Sequence, residues 1–185
     1  MPGFKLIADR VRKMLVPMVK KFGHAQPYYY GKQYTLGGHP LDLDKIQGGP
    51  EIMKFINDNI ESYWKELNYR GNPRIKHIWV NVMEPGGTVT IHDHAPIAAV
   101  GCFYVAVEEN SGSLYVSHPD ELLLRHQPYD EEYIKKCNYS FDHEFKPGPG
   151  TLILFPGYVR HRTGVNETAK DRVMIGFNVV AEDCD

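Results

Sequence analysis

The run TVTIHDHAPIAAVGCFYVAV, residues 88–107, holds two β-like segments with a His-Asp-His triplet between them. The first segment is rich in Thr, Val and Ile, and the second is rich in Val, Ala and aromatic residues, which is typical of buried strands. Along a strand, side chains at i and i+2 point to the same side, about 7 Å apart at Cα. His92 and His94 can therefore converge on one ion, whereas Asp93 should face the opposite side.

Further β-rich runs surround this stretch. They are separated by turn sequences such as EPGG, ENSG and KPGPG, in which Gly and Pro interrupt regular structure. Several short strands at this spacing predict a mainly β fold, a sandwich or a small barrel. The runs are RIKHIWVNVM (74–83), TVTIH (88–92), IAAVGCFYVAV (97–107), GSLYVS (112–117), TLILF (151–155) and RVMIGFNVV (172–180).

The sequence before residue 73 has helical patterning instead. The N-terminal 22 residues are basic and amphipathic, and they predict a surface helix kinked at Pro17, with association at a membrane surface as the alternative. A second helix is predicted over 51–67, because apolar residues recur there at helical spacing after a Pro-Glu start. Its predicted buried face comprises Ile52, Phe55, Ile56, Ile60, Tyr63, Trp64 and Leu67.

The length of the chain predicts a single domain over 1–185. Residues 1–73 would contribute helices and loops, and 74–185 the β core. Residues 23–50 are predicted as a loop, and the polar and aromatic segment 118–146 as a long insertion between strands. Neither segment carries a motif that identifies a substrate or an oligomeric state.

Net charge, cysteine spacing and the length of apolar runs limit the classes of protein to which this chain can belong. A net charge of −2 gives no sign of a bulk basic surface for nucleic acid. The cysteines Cys102, Cys137 and Cys184 lack a CxxC spacing, which indicates reduced thiols in a cytoplasmic protein. The chain has no run of about 18 apolar residues, so a transmembrane helix is not expected. The N-terminus also lacks the apolar core of a signal peptide.

A third histidine lies in a matching context, in GPGTLILFPGYVRHRTGVN. A glycine turn leads into an apolar strand, and His161 follows its Phe-Pro end. Three imidazoles from two strands can occupy one face of a metal ion, which favours iron(II) oxygen chemistry, with zinc, copper and nickel as alternatives. Arg172 begins the last β run, where its natural partner would be a bidentate carboxylate. The alternative for Arg172 is an ordinary salt bridge at a sheet edge.

In this order the motifs resemble the 2-oxoglutarate/iron(II)-dependent dioxygenase superfamily, and most of all the small oxygenases of marine bacteria and phages. The matching segments are WVNV, HDHAP, VGCFYV, GSLYV, PGPGTLILFP, His161 and RVMIGFN. The resemblance implies a double-stranded β-helix, a jelly-roll or cupin-like barrel, with N-terminal helices packed against it. It also implies a hydroxylase that uses iron(II), 2-oxoglutarate and O2 and acts on a small molecule or a peptide.

The same resemblance implies roles for individual residues, with none catalytic beyond the metal ligands. Iron would be held by His92, His94 and His161. The distal carboxylate of 2-oxoglutarate would be bound by Arg172, with Asn81 and Tyr104 also facing the cosubstrate.

Two positions depart from the superfamily pattern. The usual second ligand is a carboxylate where this chain has His94, and Met174 replaces a serine whose hydroxyl often contacts 2-oxoglutarate. Asp93 is an alternative ligand only if a β-bulge turns it inward. The period-two geometry of a strand favours His92 with His94 instead.

Two other functions are compatible with the same residues. GTVTIHDH and GTLILFPGYVRH also fit the two cupin motifs. The chain could thus be a three-histidine cupin-type dioxygenase, isomerase or sugar-binding protein that does not use 2-oxoglutarate. That alternative lacks the glutamate expected shortly after His94 and gives Arg172 no role. A non-catalytic β-sandwich binding module is the third possibility, but it leaves the three histidines unexplained.

Overall fold

The computed structural model describes residues 1, 3–23, 29–30, 33–36, 43–119, 130, 132 and 142–183. The N-terminal part contains helix α1 (Lys5–Phe22), strands β1 (Tyr29–Tyr30) and β2 (Gln33–Leu36), a 3-10 turn (Leu43–Lys45) and helix α2 (Gly49–Glu66). The rest contains β3 (Asn72–Met83), β4 (Thr88–Val89), β5 (Ala99–Ala106), β6 (Leu114–Ser117), β7 (Asp142–Phe145), β8 (Leu152–Pro156), β9 (His161–Thr163) and β10 (Arg172–Glu182). No helix in these ranges is long and apolar enough to cross a membrane.

The strands form two antiparallel layers. The major sheet has the order β2-β3-β10-β5-β8, and the minor sheet has the order β7-β6-β9. Strand β4 pairs with β1 and also lies beside β9, where the Thr88 hydroxyl donates to the carbonyl of Thr163 at 2.8 Å. An apolar cluster fills the space between the layers, with residues from β5, β6, β8 and β10. This arrangement confirms the predicted double-stranded β-helix.

Strand alternation gives the major sheet two different faces. Successive side chains of a strand point to opposite sides, and β10 shows the effect from Arg172 to Val179. The outer set is apolar and fully buried, and it consists of Val173, Ile175, Phe177 and Val179. The inner set faces the minor sheet and consists of Arg172, Met174, Gly176 and Asn178.

The two helices cover the outer face of the major sheet, as predicted. Helix α2 buries Ile52, Ile56, Ile60 and Trp64, and these residues share one core with the outer residues of β10. Leu67 was expected on the buried face but is 43% exposed. The reason is that α2 ends at Glu66, so Leu67 lies beyond the last turn that packs on the sheet.

Four short strands were not predicted. Part of the expected loop over 23–50 forms β1 and β2, and β2 is the edge of the major sheet. Strand β7 arises inside the 118–146 insertion and pairs with β6, and β9 begins at His161. All four are two to four residues long, too short to show alternation, and they depend on pairing with a longer or adjacent strand. Most of the insertion and the remainder of the 23–50 segment lie outside the described residues.

Candidate active site

Backbone pairing brings the three predicted histidines together. His92 and His161 exchange two backbone hydrogen bonds of 3.0 and 2.8 Å, and their ring centroids lie 4.3 Å apart. The amide of His94 donates to the carbonyl of Gly157 at 2.8 Å. This bond holds His94 beside the turn that connects β8 to β9. One ring nitrogen from each histidine lies within 4.8 Å of the other two. Imidazole nitrogens bind metal ions at about 2 Å, so nitrogens at this spacing can share one ion.

Asp93 points away from this cluster. It is exposed, and its Oδ1 accepts a hydrogen bond from the amide of Ala95 at 3.1 Å. Among the described residues, the group of ligand atoms close enough to hold one ion contains His92, His94 and His161 and leaves Asp93 out. The orientation expected from the sequence is therefore found for all three residues, although the strand predicted over 88–92 ends at Val89.

Each histidine has its Nδ1 atom next to an oxygen. The three contacts are His92 to the carbonyl of Thr90 at 2.8 Å, His161 to the carbonyl of Val159 at 3.0 Å, and His94 to Oδ1 of Asn178 at 2.9 Å. Carbonyl oxygens can only accept, so each Nδ1 carries the proton and donates it. The lone pair then lies on Nε2 in all three rings, which is the tautomer that binds a metal through Nε2.

The surroundings favour the neutral form of two of these rings, those of His94 and His161. Burial, followed by the proximity of His92, lowers the pKa of His161 to about 3. The same two causes, burial first, lower the pKa of His94. Metals bind the neutral imidazole, so protons do not compete for these two rings near neutral pH.

Arg172 lies buried in the same part of the sandwich. Its side chain is 2% exposed, and its guanidinium carbon lies 5.1 Å from the ring centroid of Tyr104. The buried Nε and Nη2 atoms of Arg172 and the buried hydroxyl of Tyr104 have no hydrogen-bond partner among the described residues. A buried donor without a partner costs about 1–3 kcal/mol. Such a set of donors therefore indicates a place where an anionic oxygen ligand binds.

One cavity of about 330 Å³ connects the histidines with Arg172. Asn81 lies in its wall, and the Oδ1 atom of Asn81 accepts a hydrogen bond of 2.6 Å from the Thr35 hydroxyl on the neighbouring strand β2. Strand register sets Asn81, Met174 and Tyr104 side by side on β3, β10 and β5. The remaining lining residues are His77, Ile78, Trp79, Val89, Val100, Cys102, Leu114, Thr163 and Asn178.

Three cavity residues were not singled out from the sequence. Trp79 stacks on the His94 ring at 5.9 Å between centroids and 12° between planes. Asn178 provides the acceptor for His94, and Cys102 is a buried thiol whose pKa is raised to about 12 by burial. Each lies an even number of positions along its strand from a predicted inward residue, so period-two alternation from Asn81, Arg172 or Tyr104 could have identified it.

The sequence of residues 77–178 matches the family described as "Putative 2OG-Fe(II) oxygenase". The match covers more than half of the 185 residues. It spans every position that the sequence predicted for metal or cosubstrate binding. Among curated protein sequences, none matches this chain.

Solved structures with the same fold show low sequence identity to this chain. A prolyl-4-hydroxylase from Pseudomonas putida superposes with a TM-score of 0.64 at 12% identity, over 95% of this chain and 88% of that protein. AviO1 from Streptomyces viridochromogenes gives 0.64 at 12%, over 100% and 86%. HygX from Streptomyces hygroscopicus, solved with nickel and 2-oxoglutarate bound, gives 0.63 at 10%, over 99% and 82%. With the family match over residues 77–178, the chain belongs to the 2-oxoglutarate/iron(II) oxygenase family.

Proposed function

We propose that this oxygenase hydroxylates a C–H bond of a small molecule or a peptide, with iron(II) bound by His92, His94 and His161 and 2-oxoglutarate anchored by Arg172. The observation that carries the proposal is one cavity with two features. It contains three imidazoles whose Nδ1 atoms each contact an oxygen, so that Nε2 is left for a metal, and a buried guanidinium whose Nε and Nη2 have no partner in the described structure.

The three histidines fit iron(II). Neutral imidazoles suit divalent first-row metals, and a facial set of three leaves open positions for other ligands. When bound, iron(II) with 2-oxoglutarate and O2 supplies an oxidative decarboxylation to succinate and carbon dioxide that is coupled to hydroxylation of the substrate. The protein's part is to hold each ring through its Nδ1 contact, so that the imidazoles keep their geometry when ligands enter and leave.

Arg172 fits the distal carboxylate of 2-oxoglutarate. A guanidinium is planar and always charged, and it can bind a carboxylate with two parallel hydrogen bonds. The Tyr104 hydroxyl is buried and has no partner among the described residues, so it can donate to the same carboxylate. Asn81 lies in the adjacent wall, where its Thr35 contact fixes the orientation of its amide. These groups orient the cosubstrate toward the histidines.

The apolar part of the cavity limits the entry of water. Val100, Leu114 and Met174 line it and are buried. Met174 stands where relatives often have a serine, so Arg172 and Tyr104 would carry more of the carboxylate binding in this chain. A cavity with few competing polar groups also strengthens the charge-assisted bonds of Arg172.

Relatives of known structure support the substrate classes. HygX was solved with 2-oxoglutarate and with hygromycin B, and the Pseudomonas putida relative is a prolyl-4-hydroxylase. Small molecules and prolyl side chains are thus both accommodated on this fold. The buried free thiol of Cys102 agrees with a reducing compartment, and we propose the cytoplasm as the location.

The cupin-type alternative is less well supported. A three-histidine metal protein that does not use 2-oxoglutarate would need the metal ligands alone. It would leave the buried donors of Arg172 and Tyr104 without a function, although leaving them unpaired costs stability. The unpartnered donors therefore favour the 2-oxoglutarate-dependent reaction.

The test is turnover and binding by the iron(II) protein. The parent should convert 2-oxoglutarate to succinate, and under anaerobic conditions it should give the metal-to-ligand charge-transfer band expected from the family. His161→Ala should lose most of the bound iron. His143→Ala is the matched control, because His143 lies on β7 and is exposed. A parent protein that binds iron but neither forms the band nor consumes 2-oxoglutarate would establish the cupin-type function instead.

A further inference from the structure

The three histidines differ in what holds them. His92 and His161 donate their Nδ1 protons to backbone carbonyls two residues earlier in the chain. These acceptors belong to the same local segments and cannot be removed by a substitution. His94 instead donates to a side chain, Oδ1 of Asn178, which is 84 residues away in sequence. The orientation of His94 therefore depends on a tertiary contact that a single substitution can remove.

Strand β10 places Asn178 for this contact. Asn178 is an inner residue of β10, flanked by His77 on β3 and Val100 on β5. The β3 pairing shifts register immediately after Asn178, so Asn178 is the last residue of the regular pairing that began at Arg172. The same strand thus presents the anchor for 2-oxoglutarate at its start and the acceptor for His94 six residues later.

The His94 ring is held on its edge as well as on its face. Asn178 accepts from Nδ1 at 2.9 Å, and Trp79 stacks on the ring at 12° between planes. The stack restrains the tilt of the ring but does not distinguish its two nitrogens. Among the described contacts, only the hydrogen bond to Asn178 determines which nitrogen of His94 carries the proton.

We infer that Asn178 is a positioning residue that sets the tautomer of His94 and keeps its Nε2 directed at the metal. This inference rests on the proposed function of His94 as a ligand. Without an acceptor at Nδ1, the proton can move to Nε2, and the ring must then change tautomer before it binds. Contacts of this kind to a metal-binding histidine typically contribute 10- to 100-fold to metal affinity.

A set of variants at Asn178 separates positioning from packing. Asn178→Leu keeps the approximate size of the side chain and removes the acceptor. Asn178→Asp keeps an acceptor oxygen, and a carboxylate accepts a hydrogen bond more strongly than an amide. Asn59→Leu makes the same chemical change on helix α2, where the Asn59 amide donates to the carbonyl of Phe55 away from the cavity. Asn59 is partly buried, as is Asn178, so it is a matched control.

Two measurements test the inference. Anaerobic titration with iron(II) should show about 10- to 100-fold weaker binding in Asn178→Leu, with Asn178→Asp and Asn59→Leu close to the parent. Nitrogen NMR of the histidine rings in the metal-free protein should show the proton of His94 on Nδ1 in the parent and on Nε2 in Asn178→Leu. Asn178→Ala serves as the second acceptor-free variant if Asn178→Leu does not fold.

The outcomes distinguish this inference from the proposed function. Equal iron affinity in the parent and the folded acceptor-free variants, or an unchanged His94 tautomer, would overturn the role of Asn178 while leaving the ligand set intact. Weaker binding in Asn178→Asp to the same extent as in Asn178→Leu would also overturn it, because packing would then explain the loss. A parent that binds no iron would contradict the proposed function itself.

Discussion

The two faces of strand β10 differ in composition and surroundings, because residues that alternate along the strand point to opposite sides of the sheet. The outer residues, such as Ile175 and Phe177, are apolar, fully buried and packed with the helices. The inner residues include Arg172, with its unpartnered donors, and Asn178, bonded to a histidine. The apolar core therefore lies on one side of the sheet, and the candidate active site on the other.

This difference shows how one sheet can include a site whose buried polar groups and cavity lower the stability of the fold. A buried guanidinium with unpaired donors destabilises the folded state, and a cavity forgoes close packing. The helix-covered face offsets both costs with continuous apolar burial. Because the residues alternate, a step of one position should change the effect of a substitution from unfolding to loss of binding.

The largest expected effect tests the outer face. Phe177→Ala should lower the free energy of unfolding by about 3–5 kcal/mol, since it removes a fully buried aromatic side chain from a core. Phe145→Ala is the control, because Phe145 is 42% exposed on β7, and it should change stability by no more than about 0.5 kcal/mol. Urea unfolding measures both. A strong loss of iron affinity in Phe177→Ala without loss of stability would show that the faces do not act separately.

On the inner face, removing Arg172 should have opposite effects on binding and folding. Arg172→Met should weaken 2-oxoglutarate binding by about 2–4 kcal/mol, because a charge-assisted pair is lost. It should also raise the stability of the ligand-free protein by about 1–3 kcal/mol, because unpaired buried donors are removed.

Anaerobic titration of 2-oxoglutarate and urea unfolding check the two parts of the Arg172 prediction. Arg172→Lys should recover only part of the affinity, since an ammonium lacks the planar fork. Arg74→Met is the control, because Arg74 is exposed and pairs with Glu182 at the far end of β10. Unchanged 2-oxoglutarate affinity in Arg172→Met would place the anchor elsewhere.

A smaller effect is expected where the inner face meets an aromatic ring. A Cβ atom added at Gly176 would lie 2.5 Å from Cε2 of Trp79, so Gly176→Ala must displace the indole that stacks on His94. Overpacking of this kind typically costs about 1–3 kcal/mol, and the tryptophan emission should shift. Gly148→Ala is the control, because a Cβ there meets nothing within 4 Å. Identical emission and iron affinity in the parent, Gly176→Ala and Gly148→Ala would show that iron binding does not depend on the position of Trp79.

The last effect is a dependence of stability on pH in the metal-free protein. Burial lowers the pKa of His161 from 6.5 to about 3, so below pH 6.5 the unfolded chain binds a proton that the folded chain does not. The free energy of unfolding therefore does not change through His161 above about pH 6.5, and it decreases by about 1.4 kcal/mol per pH unit as pH falls from 6.5 toward 3.

Urea unfolding of the metal-free protein between pH 7 and pH 4 checks the His161 prediction. His161→Gln removes the titrating ring, so its stability should fall less steeply with decreasing pH than that of the parent. Equal slopes in the two proteins would mean that His161 becomes protonated without unfolding.

Several elements could be predicted from the sequence because they are long or strongly patterned. The β-rich composition of 74–83, 97–107 and 172–180, between turn sequences, located β3, β5 and β10, which form the centre of the major sheet. Helical periodicity located α2 to within two residues at either end. The i and i+2 spacing of His92 and His94 was enough to predict that both rings point the same way, although β4 ends at Val89 and the two histidines lie just beyond it.

The tertiary structure alone decided which distant segments come into contact. The sequence indicated that His161 could join His92 and His94, but their proximity comes from a backbone pair across 69 residues. It did not show that Asn178 lies 2.9 Å from Nδ1 of His94 or that Gly176 leaves room for Trp79, because both contacts depend on the register of β10 with its neighbours. Local patterns determine which way a side chain points, whereas only the pairing of strands determines what it meets.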